Sequence, residues 1–331
     1  MLMRVLICPD KFRGTASARE AADALSAGAQ DAGWLVTALP LADGGEGTLD
    51  ALGGPTLSTS VTGPLGHPVV APWRLAEGTA VIEMALASGL TIVGGAAGND
   101  AMAATTRGTG ELVMAAIEAG ATTVVVGVGG SATTDGGLGA VEVLATAAPL
   151  DGSRGYTVVV ACDVLTHFID AAALFAPQKG ATAAQVLALT RRLEVLADEY
   201  ALVGRDIRGL PHSGAAGGLA GGLAALGAVL SPGFALVAAS VGLRAALASA
   251  DHVITGEGRL DAHSFDGKVV GGVVELAREL GIPCTVIAGE VDENVAARGV
   301  ATVSLVARYG RESAMNDVVA TLRAAARDVL S

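Results

Sequence analysis

Lysine is scarce in this chain: 3 of the 21 basic side chains, in 331 residues whose 33 acidic groups leave a net charge of −12. With no basic cluster to offset that charge, neither nucleic acid nor an anionic membrane is expected as a partner. Cysteine is equally rare. Cys8, Cys162 and Cys284 lie far apart and lack metal-site spacing, a pattern of reduced thiols that points to the cytoplasm. The apolar N-terminus is interrupted by Pro9, Asp10, Lys11 and Arg13 before an export segment could form. One long stretch lacks charge, Gly209–Leu243, and it contains the pair Gly217 and Gly221. It is broken by Pro232 and Gly233 and has no aromatic or basic anchors, so no membrane-spanning helix is expected from it.

Glycine is abundant instead: 46 residues, about twice ordinary usage, without a collagen period. With 51% apolar and 16% charged residues the chain is too hydrophobic to be disordered. Its length favours two domains.

Short β-branched runs alternate with Ala/Leu-rich periodic ones. Strands are expected at Arg4–Cys8, Leu35–Leu41, Val81–Met84, Thr122–Val128, Thr157–Ala161, His252–Thr255, Pro283–Ala288 and Ala301–Val306. Capping-box spacing, Ser17 with Glu20 and Thr182 with Gln185, opens helices over Ala18–Ala32 and Ala183–Tyr200. Further helices are expected at Glu111–Ala119, Phe234–Ala248, Lys268–Leu280 and Ala314–Leu330, and an irregular or hairpin element at Val61–Trp73. This alternation predicts an α/β protein with parallel sheet, whose ligands gather beyond the carboxyl ends of the strands.

The strand ends carry the chemistry. Asp10, Lys11 and Arg13 follow the first strand and precede a helix cap, a place suited to an anionic substrate. Asp43 and Glu46 sit among glycines after the second, held for a metal or a substrate hydroxyl, or simply in a turn. The strongest single signal is Gly127–Gly137. There Gly129, Gly130, Gly136 and Gly137 let amides converge on phosphate, Ser131, Thr133 and Thr134 add hydroxyls, and Asp135 could hold Mg²⁺; a structural glycine turn is the competing reading. Gly127, Gly129 and Ala132 match a relaxed dinucleotide pattern, but turn chemistry follows where that helix would have to run, and no Walker sequence is present. Asp163, Glu257, Arg259 and Asp261 complete a repeated arrangement of strand, glycine turn, carboxylate and cation. Lys11, Lys179 and Lys268 all fall inside such strand-end segments, whereas arginine serves elsewhere, 18 times. A compact ammonium meets a phosphate oxygen differently from a planar fork, so these positions read as site requirements.

In order along the chain stand PDKFRGTASA (Pro9–Ala18), LADGGEGT (Leu41–Thr48), VTGPLGHPV (Val61–Val69), VIEMALASGL (Val81–Leu90) and TTRGTGEL (Thr105–Leu112). They are followed by GVGGSATTDGG (Gly127–Gly137), ACDV (Ala161–Val164), PQKGAT (Pro177–Thr182), GAAGGL (Gly214–Leu219) and ITGEGRLD (Ile254–Asp261) with Gly267-Lys268. This series resembles the bacterial type I glycerate kinases over nearly the whole chain. The resemblance implies a Rossmann-like domain formed by both chain ends, residues 1–55 and 235–331, with an inserted α/β domain at 56–234. It implies transfer of a phosphoryl group from ATP, with Mg²⁺, to D-glycerate; the alternatives are a kinase of another small hydroxy or sugar acid on the same scaffold, or an inactive relative that binds a metabolite. Gly129–Gly137 would hold ATP phosphates; Asp10, Lys11, Arg13, Asp43 and Glu46 would line the glycerate side. Lys179 and Lys268 would neutralise transferring oxygens, and Asp163, Glu257 or Asp261 would supply the base or a metal ligand. Two stretches depart from the family pattern: a short link at Ala140–Val160, and Leu165–Asp170 where the family carries a glycine-containing turn.

Overall fold

The β-branched runs do become strands, most of them in parallel pairs whose valines and isoleucines are buried. The computed structural model describes residues 2–293, 295 and 299–331. Among these the strands are β1 (Arg4–Ile7), β2 (Leu35–Ala38), β3 (Leu57–Thr62), β4 (Pro68–Ala76), β5 (Thr79–Glu83), β6 (Thr123–Gly127), β7 (Thr157–Cys162), β8 (Val229–Pro232), β9 (His252–Leu260), β10 (Cys284–Val291) and β11 (Ala301–Ser304). They form two sheets, ordered β11-β10-β9-β1-β2 and β3-β4-β5-β6-β7-β8. The chain divides accordingly. The first unit comprises the chain up to Asp43, Asp50–Leu52 and Phe234–Ser331; the second comprises Gly44–Leu49 and Gly53–Gly233.

In the first unit every strand pair is parallel. Period-2 alternation sends β1 side chains to opposite faces. Val5 and Ile7 pack with Leu25 and Leu322 of the helices Ala18–Asp31 and Val318–Leu330, while Leu6 and Cys8 pack with Val237, Leu247 and Val273. Each fully buried aliphatic side chain contributes about 1.5–3 kcal/mol of transfer free energy, so these layers fix the strand register (Val5 beside Val36 and His252). The Ser17–Glu20 capping box is formed.

The second unit has a mixed sheet: β5 to β8 are parallel, while the expected hairpin at Val61–Trp73 is part of β3 and β4, antiparallel, with Val61 opposite Val69. Ile82, Val124, Val126, Val158 and Val160 pack with Leu112, Leu144 and Leu223. A second cluster forms around Phe168 with Leu189, Leu193 and Tyr200, under the helix Ala183–Val203 capped by Thr182 and Gln185. The departing stretch Leu165–Asp170 thus supplies a core plug: Phe168 is fully buried against Gly136, Gly218 and Gly221, where a Cβ would collide with its ring.

Several boundaries differ from expectation: the strand expected over Leu35–Leu41 stops at Ala38, the helix expected from Glu111 begins at Arg107, the strand expected over Ala301–Val306 gives way to a helix at Leu305, and the helix expected over Ala314–Leu330 is two, Arg311–Asn316 and Val318–Leu330. The helix expected over Phe234–Ala248 is two, Gly233–Ser240 and Leu243–Ala248, because Gly242 takes a left-handed conformation (φ 68°). The strand expected to end at Thr255 runs to Leu260, since Gly256 lets β10 approach where a Cβ would overlap the carbonyl of Ile287. The charge-free stretch Gly209–Leu243 breaks into a 3-10 turn, a short helix and β8; among the described residues no helix is long and apolar enough to cross a membrane.

Gly28 gives a test in which two effects oppose. An exposed helical Gly→Ala gains about 1 kcal/mol, but a Cβ at Gly28 would overlap the carbonyl oxygen of Arg323 on the neighbouring helix. Crowding wins: Gly28→Ala should lower unfolding free energy by about 1–3 kcal/mol in urea titration, and a stabilised variant would show that the two helices are free to separate.

Candidate active site

In the first unit the chain leaves β1 for β2 on one side and meets β9 on the other, so the order of the sheet reverses between β1 and β9. Beyond the carboxyl ends of two such strands an open parallel sheet presents a crevice. Asp10 lies there, its N–H donating to the carbonyl of Gly256 at 2.9 Å. Lys11 donates its backbone N–H to Asp10 Oδ1 at 2.7 Å and holds its ammonium 3.7 Å from the same oxygen. Phe12 is buried, its ring beside Gly256, and the missing side chain of Gly258 admits the Phe12–Arg13 backbone. Arg13 itself is exposed, whereas Asp43, reached after the Leu41 N–H bonds to Pro9, is buried. Glu257 projects from β9. Asp261 caps the turn Ala262–Phe265, accepting from His263 N at 2.8 Å and Ser264 N at 3.2 Å, and Lys268 precedes the helix Val269–Leu280.

The electrostatics tie these groups together. Burial pushes Asp10 up to about 6; Lys11 opposes that rise, Asp43 reinforces it, and the Lys11 amide and Lys268 oppose it more weakly. Burial likewise pushes Glu257 up to about 7, countered by a hydrogen bond with Ser264 and by Lys268, and assisted by Asp10 and Asp261. Desolvation wins over two nearby lysines. Glu257 Oε1 is moreover buried without a hydrogen-bond partner. A carboxylate of this kind is poised to take a proton near neutrality. Among the described residues no three His, Cys, Asp or Glu side chains form a metal cage.

The second unit carries the glycine-rich segment after β6. Its glycines are packing sites: a Cβ on Gly127 or Gly129 would strike the Gly44–Gly45 backbone, and one on Gly137 would crowd Leu219 and Gly222. Gly130 and Gly136 take positive φ (70° and 69°). Asp135 is buried and fully engaged, accepting from Thr106 N (2.8 Å), Thr106 Oγ1 (2.9 Å), Gly137 N (3.1 Å) and Gly139 N (3.3 Å). It therefore ties the first turns of the helices Arg107–Glu118 and Leu138–Leu144, which leaves little of it for a cation. Lys179 is 3% exposed, and its ammonium donates to Ser131 Oγ at 2.7 Å and to the Thr133 carbonyl at 2.6 Å. Burial lowers its pKa to about 7, with Asp135 acting in the opposite sense. Asn99 donates to the carbonyls of Ala132 and Lys179, closing the brace, and Thr134 Oγ1 is buried with no partner. Asp163 follows β7, half-buried; Glu46 is exposed.

The sequence reading missed Glu83. It is buried at the end of β5 and accepts from the amides of Gly47 (2.9 Å) and Leu49 (2.7 Å), holding the loop that carries Glu46. The available signal was a lone carboxylate in the apolar run Val81-Ile82-Glu83-Met84, since glutamate is seldom buried unless paired. Thr106 and Ser264 were missed for the ordinary reason that hydroxyls carry no distinctive pattern.

Known proteins match this chain throughout. A sequence model described as the glycerate kinase family matches residues 5–153 and 148–331. The glycerate 2-kinase of Escherichia coli K12 is 37% identical over 88% of this chain and 87% of its own. The glycerate kinase of Bacillus subtilis 168 is 40% identical over 88% and 86%. A crystal structure of a Salmonella typhimurium LT2 protein described as a candidate glycerate kinase 2 superposes with a TM-score of 0.83 at 36% identity, covering 100% of this chain and 98% of that one.

Asp135 supplies the check on this geometry. Asp135→Asn keeps the shape but turns an amide donor toward N–H groups, so stability should fall by about 2–4 kcal/mol in denaturant titration. Unchanged stability would mean that the four bonds are dispensable.

Proposed function

This chain belongs to the glycerate kinase family, and on that premise we propose that it transfers the γ-phosphoryl group of ATP to a hydroxyl of D-glycerate, yielding phosphoglycerate, in the cytoplasm. The observation that carries this reading is the cluster at the β1–β9 reversal, where buried Asp10 and half-buried Glu257 stand among Lys11, Lys268, Asp43 and Asp261. It offers what phosphoryl transfer asks of a protein: position, charge neutralisation and a base for the acceptor.

Glu257 takes the hydroxyl proton, because its pKa of about 7 lets it be deprotonated at neutral pH yet basic enough to accept. Lys11 and Arg13 bind the substrate carboxylate, Asp43 and Glu46 its hydroxyls, and Lys268 offsets charge on transferring oxygens. In the second unit the Gly129–Gly137 segment, with Ser131, Thr133 and Thr134, receives nucleotide phosphate. Lys179 keeps that segment in shape through Ser131 and Thr133. Mg²⁺ fits the donor set, since Asp10 and Asp43 are two buried carboxylates close enough for Asp43 to raise the pKa of Asp10, and this ion takes one or two carboxylates beside phosphate and water. When bound it screens phosphate charge.

ATP turnover measured against a panel of small hydroxy and sugar acids tests the assignment. D-glycerate should give the highest kcat/KM; preference for another acid would reassign the substrate, and no turnover with any would mark a binding protein. The pH profile tests Glu257. A base must be unprotonated to act, so kcat/KM should fall about tenfold per pH unit as pH drops below about 7. Glu257→Gln should cost about 10²-fold or more in kcat and abolish that acid limb. An acid limb that survives the substitution would take the role of base from Glu257.

A further inference from the structure

We propose that Asn99 is a positioning residue for the nucleotide, setting Lys179 against the glycine-rich segment, an inference that rests on the proposed receipt of nucleotide phosphate by that segment. The side-chain nitrogen of Asn99 donates to two main-chain carbonyls at once, Ala132 at 3.0 Å and Lys179 at 2.8 Å, which lie 33 and 80 residues away. The Lys179 ammonium joins the same two stretches a second time, through Ser131 Oγ and the Thr133 carbonyl. Lys179 is thus held at both ends. A point charge on a flexible four-carbon stem takes one position only when its main chain is fixed as well. Close main-chain packing brings Asn99 there: Gly180 takes φ 92°, and a Cβ on it would lie 2.5 Å from the carbonyl oxygen of Ala96, so the loop 94–99 rests directly on the turn Pro177–Lys179.

The hydrogen bonds of the glycine-rich segment divide it into a committed part and an open one. Past Asp135 the N–H groups are engaged: Gly136 donates to the Gly217 carbonyl at 3.0 Å, and Gly137 and Gly139 donate to the Asp135 carboxylate. Among the described residues no hydrogen bond engages the N–H groups of Gly129 and Gly130, the first half-buried and the second exposed. Phosphate is therefore received at Gly129, Gly130 and Ser131, and Ser131 is the residue that the Lys179 ammonium touches. Asn99 fixes the main chain on either side of that contact. A plain structural brace would use all of its polar atoms, yet Asn99 Oδ1 is buried without a partner, as is Thr134 Oγ1 on the same segment. Orphaned polar atoms lower stability, and native proteins keep them where the position of a group matters more than the stability it gives.

Calorimetric titration with ATP, beside steady-state kinetics of the full chain, tests the role. Asn99→Asp keeps the shape but turns an oxygen toward both carbonyls, and Asn99→Ala removes the bridge altogether. Each should weaken ATP binding and raise the KM for ATP by about tenfold, the scale of a lost hydrogen-bonded pair, while the KM for the acid stays unchanged. Trp73→Phe gives up the hydrogen bond to Thr59 in the same unit; it should lower the thermal melt and leave ATP affinity as it was. ATP binding by the unmodified chain with unaltered affinity in both Asn99 variants would overturn the role of Asn99 alone. A loss of affinity that Trp73→Phe reproduces would also overturn it, since stability would then account for the effect. No ATP binding by the unmodified chain would instead remove the nucleotide reading, and this inference with it.

Discussion

Main chain packed directly on main chain is the constraint from which the second unit follows. Gly127 and Gly129 lie against Gly44 and Gly45, Gly217 against Thr133 and Thr134, Gly218 and Gly222 against Gly136, and Gly222 against Gly137. Glycine clusters that are distant in sequence are thus one another's neighbours. Such packing brings peptide groups into a dry interior, where each polar group must find a partner or cost about 1–3 kcal/mol. The buried polar side chains answer that requirement: Asp135 collects four donors, Glu83 collects two amides, and Lys179 supplies a carbonyl and a hydroxyl with protons. Removing side chains from the loops and inserting charge beneath them are one design.

In the first unit the same conflict is resolved the other way. Asp10 is buried and Glu257 half-buried near lysines, yet desolvation and mutual repulsion leave both with raised pKa values. Asp135 is as buried as Asp10 and accepts four hydrogen bonds, whereas Glu257 keeps one oxygen without any. Hydrogen bonds to the charged form separate a structural carboxylate from a reactive one.

Much of this was legible in the residue order. Strands at Val-rich runs, capping boxes at Ser17 and Thr182, and the strand-end segments all follow from local patterns. What escaped depends on partners remote in sequence. The extension of β9 to Leu260 requires β10 beside it; the break at Gly242 requires a left-handed residue inside an otherwise helical run; and Glu83 serves amides 36 and 34 residues away. Asp135 shows the limit most clearly. Its glycine-flanked setting suits a cation as well as a helix start, and only the positions of Thr106, Gly137 and Gly139 distinguish them.

The scarcity of lysine acquires a physical reason at Lys179. Arginine makes ion pairs at the surface with Glu111, Glu279, Asp292, Asp328 and Asp31, where a permanently charged, planar group is easily solvated. A guanidinium in place of the Lys179 amine would bring five donors into a cavity that offers Ser131 Oγ and one carbonyl, and it could not shed its charge. An ammonium has three donors, and burial already lowers its pKa to about 7, so the cavity tolerates it with or without its proton. Arginine suits the solvated exterior of this protein; at Lys179 the cation must be small, directed and dry.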